Sequence, residues 1–497
     1  MVDIADKTAL LGDLIQNSAL IKPEIMLIIW ASFCLLVPKD TRRWVSIFAL
    51  TGLAISGFSL YWTYGYQGSA FGGMLQLDAF GAFFKILFLT NAAVCIFMSR
   101  KYMDIEEEQS GEYYCLILFA TVGMMFMAAA VDLITIFISL ELMAICEFIL
   151  VGYLRGNRRS NEAAMKFFLL GAFSTGLLLY GMSLLYGLSG STSLEVIAKA
   201  MEAGAAKNPL MLVAMITLIA GLGFKIAAVP FHMWCPDAYE GAPTSITAFI
   251  SVGPKAAAFA VLFRIFLSGL GPVATDPTYL RLLSVLAVLT MTWANLAALT
   301  QTNIKRLLAY STISHAGYLL LGLIAGKDNG GVTAVAIYLF LYAFMNLGAF
   351  TIIVMVRRKG LVGDTIDDLK GLVTKNPGAA IMMTVFVASL AGLPPTAGFL
   401  AKYAIFSALI EAYFKTHYTY LVILAVIGVI NSVVAFYYYW LIVRAMFLIE
   451  PTDDVKLTFS PGVVTALTVT FAVTLGILLY PEPLLNFARA ASNSFLR

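Results

Sequence analysis

The chain has 497 residues, 60% of them hydrophobic and only 12% charged, with a formal net charge of +3. A soluble domain carries about twice that charged fraction, so a water-soluble globule is excluded. The small net charge, spread over loops, also excludes a nucleic-acid-binding surface.

The apolar residues gather into blocks of about 20, each enough to span a hydrocarbon core about 30 Å thick. They lack the period-two alternation of a membrane β-barrel. The sequence therefore reads as an all-α polytopic membrane protein in a lipid bilayer. Window hydropathy predicts about 14 transmembrane helices, at 23–38, 44–64, 78–99, 113–130, 132–154, 163–188, 210–235, 244–270, 280–300, 304–325, 331–356, 378–411, 418–448 and 461–481. The chain opens with Asp3 and Asp6 and without a basic leader, so the first helix is expected to anchor the protein directly. The twelfth and thirteenth blocks exceed what a bilayer requires and predict tilt, a break or extension beyond the membrane.

Basic residues sort by loop. Lys39, Arg42 and Arg43 follow helix 1, Arg100 and Lys101 follow helix 3, and Arg155, Arg158 and Arg159 follow helix 5. Lys305 and Arg306 precede helix 10, and Arg357, Arg358, Lys359, Lys370 and Lys375 follow helix 11. Positive charge marks the cytoplasmic side, which places both termini on the opposite face.

Two helices read as broken. Pro230 follows Lys225 in helix 7, and Pro394-Pro395 precedes Lys402 in helix 12. A mid-helix proline removes a backbone donor and clashes one turn back, and inside a bilayer such backbone survives only within protein or beside a wet cavity. Both segments begin alike, AGLGFK and AGLPPT, five helices apart. That pattern predicts two inverted five-helix repeats. The expected units are 1–112 (helices 1–3), 113–270 (helices 4–8), 271–448 (helices 9–13) and 449–497 (helix 14 and tail).

Charges inside these blocks are the candidate functional groups. An ionised side chain at mid-membrane costs about 3 kcal/mol or more, and a desolvated amine surrenders its proton far more readily than one in water. Lys225, Lys255 beside Gly253-Pro254, and Lys402 are the leading candidates for moving protons, with snorkelling to an interface as the plainer alternative. Glu141, at the centre of helix 5, reads as a counter-charge, or else as a packing partner. His315 in helix 10 reads as a connecting relay residue, since histidine titrates near neutrality. Lys166 is placed in the relay as well, although it could equally reach the cytoplasmic surface, and Lys85 is weaker still. Glu147, assigned to the far face of helix 5, is left out and expected to meet another subunit or a local acceptor. His232 is expected to cap the break, and Asp237 and Glu240 to be solvated or to cap a helix. Cys34, Cys95, Cys115, Cys146 and Cys235 lack CxxC or Cys/His spacing, so no metal site, cluster or disulfide is expected.

Residues 229–256, VPFHMWCPDAYEGAPTSITAFISVGPKA, resemble the signature of the antiporter-like membrane subunits of respiratory complex I, NADH:quinone oxidoreductase. The resemblance extends to LELMAICEFILVGY, LLAYSTISHAGYLLLG and SLAGLPPTAGFLAKY, and so runs from helix 4 through helix 13. YEGAPTSITAFIS and EAAMKFFLLGAF look most like the subunit N branch, which includes the mitochondrial ND-two chain, and the short C-terminus argues against subunit L. Glu147 and Cys235 depart from the pattern, standing where an uncharged and a non-thiol residue are expected.

The resemblance implies 14 core helices, two inverted repeats and no redox cofactor in this chain. It implies that Glu141 and Lys225 interact, that Lys255 and His315 pass protons laterally, and that Lys402 exchanges with the far side. It also implies other membrane-arm subunits as partners, M, K and J among them, in a bacterial inner membrane with periplasmic termini. The competing readings are a subunit of a sodium/proton antiporter or membrane-bound hydrogenase, a non-conducting scaffold, and a binder of a small hydrophilic substrate. The EGAPTSITAF block disfavours the first, the buried lysines the second, and the lack of a polar cluster of substrate size the third.

Overall fold

The computed structural model describes residues 17–38, 44–271, 273, 276–357, 363–451 and 460–495. Of the charges weighed above, Asp3, Asp6, Lys39, Arg42, Arg43, Arg358 and Lys359 lie outside the described residues.

The first unit begins with α1 (Lys22–Leu36) and α2 (Val45–Thr63), then a hairpin of β1 (Gly68–Ala70) and β2 (Leu75–Leu77). There follow α3 (Ala79–Glu106), α4 (Gly111–Ala129), α5 (Leu133–Val151) and α6 (Arg158–Ser189). A short α7 (Leu194–Glu202) leads to α8 (Pro209–Lys225), α9 (Trp234–Gly241) and α10 (Thr244–Phe263). The second unit holds α11 (Pro277–Ala298), α12 (Ile304–Ala325), α13 (Gly331–Val356), α14 (Leu372–Lys375), α15 (Pro377–Ala391), α16 (Ala397–Thr416) and α17 (Thr419–Leu448). The chain closes with α18 (Pro461–Leu479) and α19 (Glu482–Phe495).

Among the described residues, 12 helices are long and apolar enough to cross a membrane. The predicted count of about 14 differs for two physical reasons. Helix 1 spans only 15 residues, and helix 7 divides into α8 and α9, neither long enough alone. Helix 12 likewise divides into α15 and α16, of which α16 qualifies. The thirteenth block, where a break was one possibility, forms a single helix of 30 residues.

Local chemistry sets the ends. Asp78, Ser110 and Asp132 accept hydrogen bonds from backbone N–H groups in the first turns of α3, α4 and α5, the N-cap arrangement. Asn208, Asp276 and Asn376 do the same immediately before Pro209, Pro277 and Pro377, where a missing N–H costs nothing.

The core is built on α10, α12 and α13, which are buried along nearly their whole length. Outer helices turn apolar side chains away from it, including Phe58 and Trp62 on α2, Phe173 on α6 and Val433 on α17. Such an all-round apolar surface suits lipid.

Both predicted breaks are present, at corresponding places in the two units. The first runs from Ile226 to Met233 and contains a cis Val229–Pro230 bond and Ala227 at φ 57°. Val229 N–H, freed from the helix, donates to Thr290 Oγ1 at 3.0 Å, and Trp234 Nε1 donates to Phe224 O at 2.9 Å. The second break contains a cis Pro394–Pro395 bond and Gly392 at φ 82°. A Cβ on Gly392 would meet Lys402 Cδ at 2.8 Å, so the glycine meets both a backbone and a space requirement.

Candidate functional site: a buried file of lysines and hydroxyls

Lys225, Lys255 and Lys402 are 6, 2 and 5% exposed, and His315 is 3% exposed. None of the three amines snorkels to a surface. Each sits beside an irregularity of its helix. Lys225 ends α8, Lys255 follows Pro254 inside α10, and Lys402 lies just after the break that begins α16.

Between Lys255 and Lys402 the core holds three polar clusters, with no described hydrogen bond joining one to the next. Lys255 Nζ donates to Thr312 O at 2.5 Å, and Thr312 Oγ1 accepts from Tyr342 OH at 2.9 Å. Three residues further along α12, His315 Nδ1 pairs with Tyr338 OH at 2.6 Å, and its Nε2 lies 3.5 Å from Tyr439 OH. Tyr439 OH also meets Ser311 Oγ. One turn on, Tyr318 OH pairs with Ser432 Oγ at 3.0 Å, and Ser432 Oγ accepts from Lys402 Nζ at 3.1 Å. Hydroxyls and imidazole both donate and accept, so each cluster offers groups that can carry a proton, whereas the Thr312 carbonyl beside Lys255 only accepts.

The hydroxyl residues of this file were not among the sequence candidates. Tyr338, Tyr342 and Asn346 recur at four-residue spacing on α13, and so share one face. They meet His315, Thr312 and Ser251 in turn. That periodicity was the available signal.

The Lys225 end is different. Lys225 Nζ has no hydrogen-bond partner among the described residues; it lies 5.6 Å from the centre of the Phe148 ring and 5.9 Å from that of Phe224. No described hydrogen bond joins it to Lys255. Glu141 is half-buried, and its Oε1 accepts from Thr175 Oγ1 at 2.9 Å. Glu147 is 2% exposed, and its Oε1 has no hydrogen-bond partner among the described residues. That burial corrects the expectation that Glu147 meets another subunit. Six residues leave a helix about 120° from its starting direction and about 9 Å further on, so Glu147 lies a third of a turn from Glu141 rather than on the opposite face, inside the protein.

Lys166 also requires correction. Its side chain is 46% exposed and bonds Asp237 and Glu162, each at 2.9 Å. Arg306 joins this cluster through Asp237 at 2.7 Å and Glu240 at 2.9 Å. Asp237 and Glu240 are thus ion-pair partners rather than solvated caps. The cluster lies outside the buried file because Lys166 is only two turns from the start of α6. His232 lies within the break, and its Nδ1 has no hydrogen-bond partner among the described residues.

Two other pairs of buried charges are in direct contact, while buried Lys305 and Lys101 donate to backbone carbonyls. Lys85 meets Glu24 at 2.7 Å, and Arg264 meets Asp78 at 2.8 Å. A cavity of 680 Å³ beside Asp78 and Arg264 shares no residue with the file.

The fold and its two broken helices are those of an antiporter-like membrane subunit. The family described as NADH:quinone oxidoreductase/Mrp antiporter, TM, matches residues 130–430. NADH-quinone oxidoreductase subunit N 2 of Solibacter usitatus is 49% identical over 484 residues, covering 94% of this chain and 96% of the relative. Subunit N 1 of Koribacter versatilis is 50% identical over 468 residues, covering 91% and 90%. A chain of respiratory complex I from Thermus thermophilus superposes with a TM-score of 0.77 at 32% identity, covering 93% of this chain and 98% of that one. A chain of the Mrp complex from Dietzia sp. shares the fold alone, with a TM-score of 0.81 at 21% identity, covering 97% and 98%. The chain belongs to the subunit N family of NADH-quinone oxidoreductase, as a multi-pass membrane subunit of that multi-subunit enzyme.

Proposed function

We propose that this chain translocates protons across the membrane, driven by quinone reduction elsewhere in the enzyme, through Lys225, Lys255, His315 and Lys402. The observation that carries the reading is the burial of three amines, with His315 and clusters of hydroxyls lying between two of them. Glu141, at the rim of the chain, receives the electrostatic signal from a neighbouring subunit and alters the proton affinity of Lys225. The proton released there passes to Lys255 and along the file to Lys402, which exchanges with the far side.

The energies are compatible. Moving one charge against about 100 mV takes about 2.3 kcal/mol. A change of one unit in proton affinity supplies about 1.4 kcal/mol, so two or three units at a site suffice.

The chain itself carries no redox cofactor in this reading and serves the enzyme by proton transfer alone. Subunits M, K and J are its proposed neighbours, in a bacterial inner membrane with both termini periplasmic; the basic loops and the family resemblance support that orientation. Replacing Lys225 with alanine in the assembled enzyme tests the reading. Proton pumping should fall strongly while the complex still assembles, and pumping at the wild-type level would reject the assignment.

A further inference from the structure

Lys255 stands on a weakened turn of α10. Pro254, immediately before it, has no N–H, so the carbonyl of Ile250 loses its helical donor. Gly253 lowers the helical preference of the same turn further, and an interior proline is a common place for a helix to bend. Two side-chain amides grip this turn from different helices. Asn91 Nδ2, on α3, donates to the Phe249 carbonyl at 3.2 Å. Asn346 Nδ2, on α13, donates to Ser251 Oγ at 2.5 Å, while Ser251 Oγ donates its own hydrogen to Ala248 O at 2.7 Å. Both asparagines are 0% exposed, and burying an amide is costly unless its hydrogen bonds are made. Gly253 is what lets Asn91 come so close. A Cβ at that position would lie 2.6 Å from Asn91 Nδ2 and 2.8 Å from Met124 Sδ.

We propose that Asn91 and Asn346 clamp the Pro254 turn and thereby aim Lys255 at the Thr312 carbonyl, which makes both asparagines positioning residues for proton transfer. This rests on the reading of Lys255 as a proton carrier. The amides act through the backbone of α10 and through Ser251, not on the amine itself. Lys255 is the next residue after the proline, so a change of bend at Pro254 is carried straight into the direction of its side chain. With the turn held, the amine meets Thr312 O. With the turn released, it spends less time there and hands on fewer protons, although quinone reduction elsewhere continues.

The test reads protons pumped per NADH oxidised by the assembled enzyme carrying Asn91→Leu, Asn346→Leu, both together, or Lys255→Met. Each single change should lower the proton yield while NADH oxidation continues, and the double change should bring it to the level of Lys255→Met. Ser56→Ala is the control, since it removes a different buried bond between helices, from Ser56 Oγ to Pro23 O at 2.8 Å, and should keep the full yield. An equal loss in Ser56→Ala would mark general loosening of the bundle and overturn the inference. A full yield from the double variant beside a defective Lys255→Met overturns it too, and leaves the reading of Lys255 intact. A full yield from Lys255→Met overturns both. If the double variant does not assemble, Gly253→Ala decides. Its Cβ displaces the Asn91 amide without touching that residue's sequence, so a lowered yield is expected and an unchanged one overturns the inference.

Discussion

The ε-amine of Lys402 donates a 2.8 Å hydrogen bond to the carbonyl oxygen of Ala391, across the break that separates α15 from α16. The same amine reaches Ser432 at 3.1 Å and lies 4.8 Å from the centre of the Tyr318 ring. One buried group therefore closes the end of a helix and terminates the polar file.

Lys402→Met should consequently do two things. Loss of the donor leaves the Ala391 carbonyl buried and unsatisfied, at a cost of about 1–3 kcal/mol. Loss of the amine removes the last proton-carrying group of the file. A lower unfolding temperature together with strongly reduced pumping is expected from calorimetry and proteoliposome assays on the purified enzyme.

Gly392→Ala tests the break itself. The left-handed backbone at φ 82° costs a residue with a Cβ about 1–2 kcal/mol, and that Cβ would press on Lys402 Cδ at 2.8 Å. The variant should be less stable and should pump less, because Lys402 must move. Gly176→Ala, where no heavy atom lies within 4 Å, should leave both properties unchanged and serves as the control.

Tyr338→Phe removes one hydroxyl from His315 and little else. The lost bond amounts to about 1 kcal/mol of stability, too little to disturb assembly. Pumping should nevertheless slow, since His315 Nδ1 loses the partner it meets at 2.6 Å. The rate of proton uptake measured beside quinone reduction checks this, and an unchanged ratio would remove His315 from the file.

Lys166→Ala is expected to be nearly silent. Its ion pairs are exposed and screened by solvent, worth up to about 1 kcal/mol, and no buried partner depends on it. Pumping close to wild type, measured in the same vesicles, is the predicted result, whereas a defect comparable to Lys225→Ala would restore Lys166 to the relay.

What could be read from the sequence follows from contrast. Lys225, Lys255 and Lys402 stand out because a lone charge in an apolar block is costly and therefore visible. The breaks show because Pro230 and Pro394-Pro395 interrupt otherwise continuous helices. Tyr338, Tyr342 and Asn346 escape notice because α13 is apolar all round, and tyrosines there look like packing until α12 is set beside them. Glu24 and Asp78 lie at the margins of hydropathy blocks and pass for interfacial residues, although each is buried against a basic partner on a distant helix. The short α7 and the C-terminal α19 are amphipathic and polar enough to fall below a hydropathy window. Glu147 was misplaced for a geometric reason, since a six-residue offset looks like a change of face when only one helix is considered.

The most direct test of the central claim is the number of protons pumped per NADH oxidised by the assembled enzyme carrying Lys255→Met, which removes the second of the three buried amines. Continued NADH oxidation with a clearly lower proton yield is the predicted result. A yield equal to that of the unmodified enzyme, with assembly verified, would contradict proton transfer through the buried lysines.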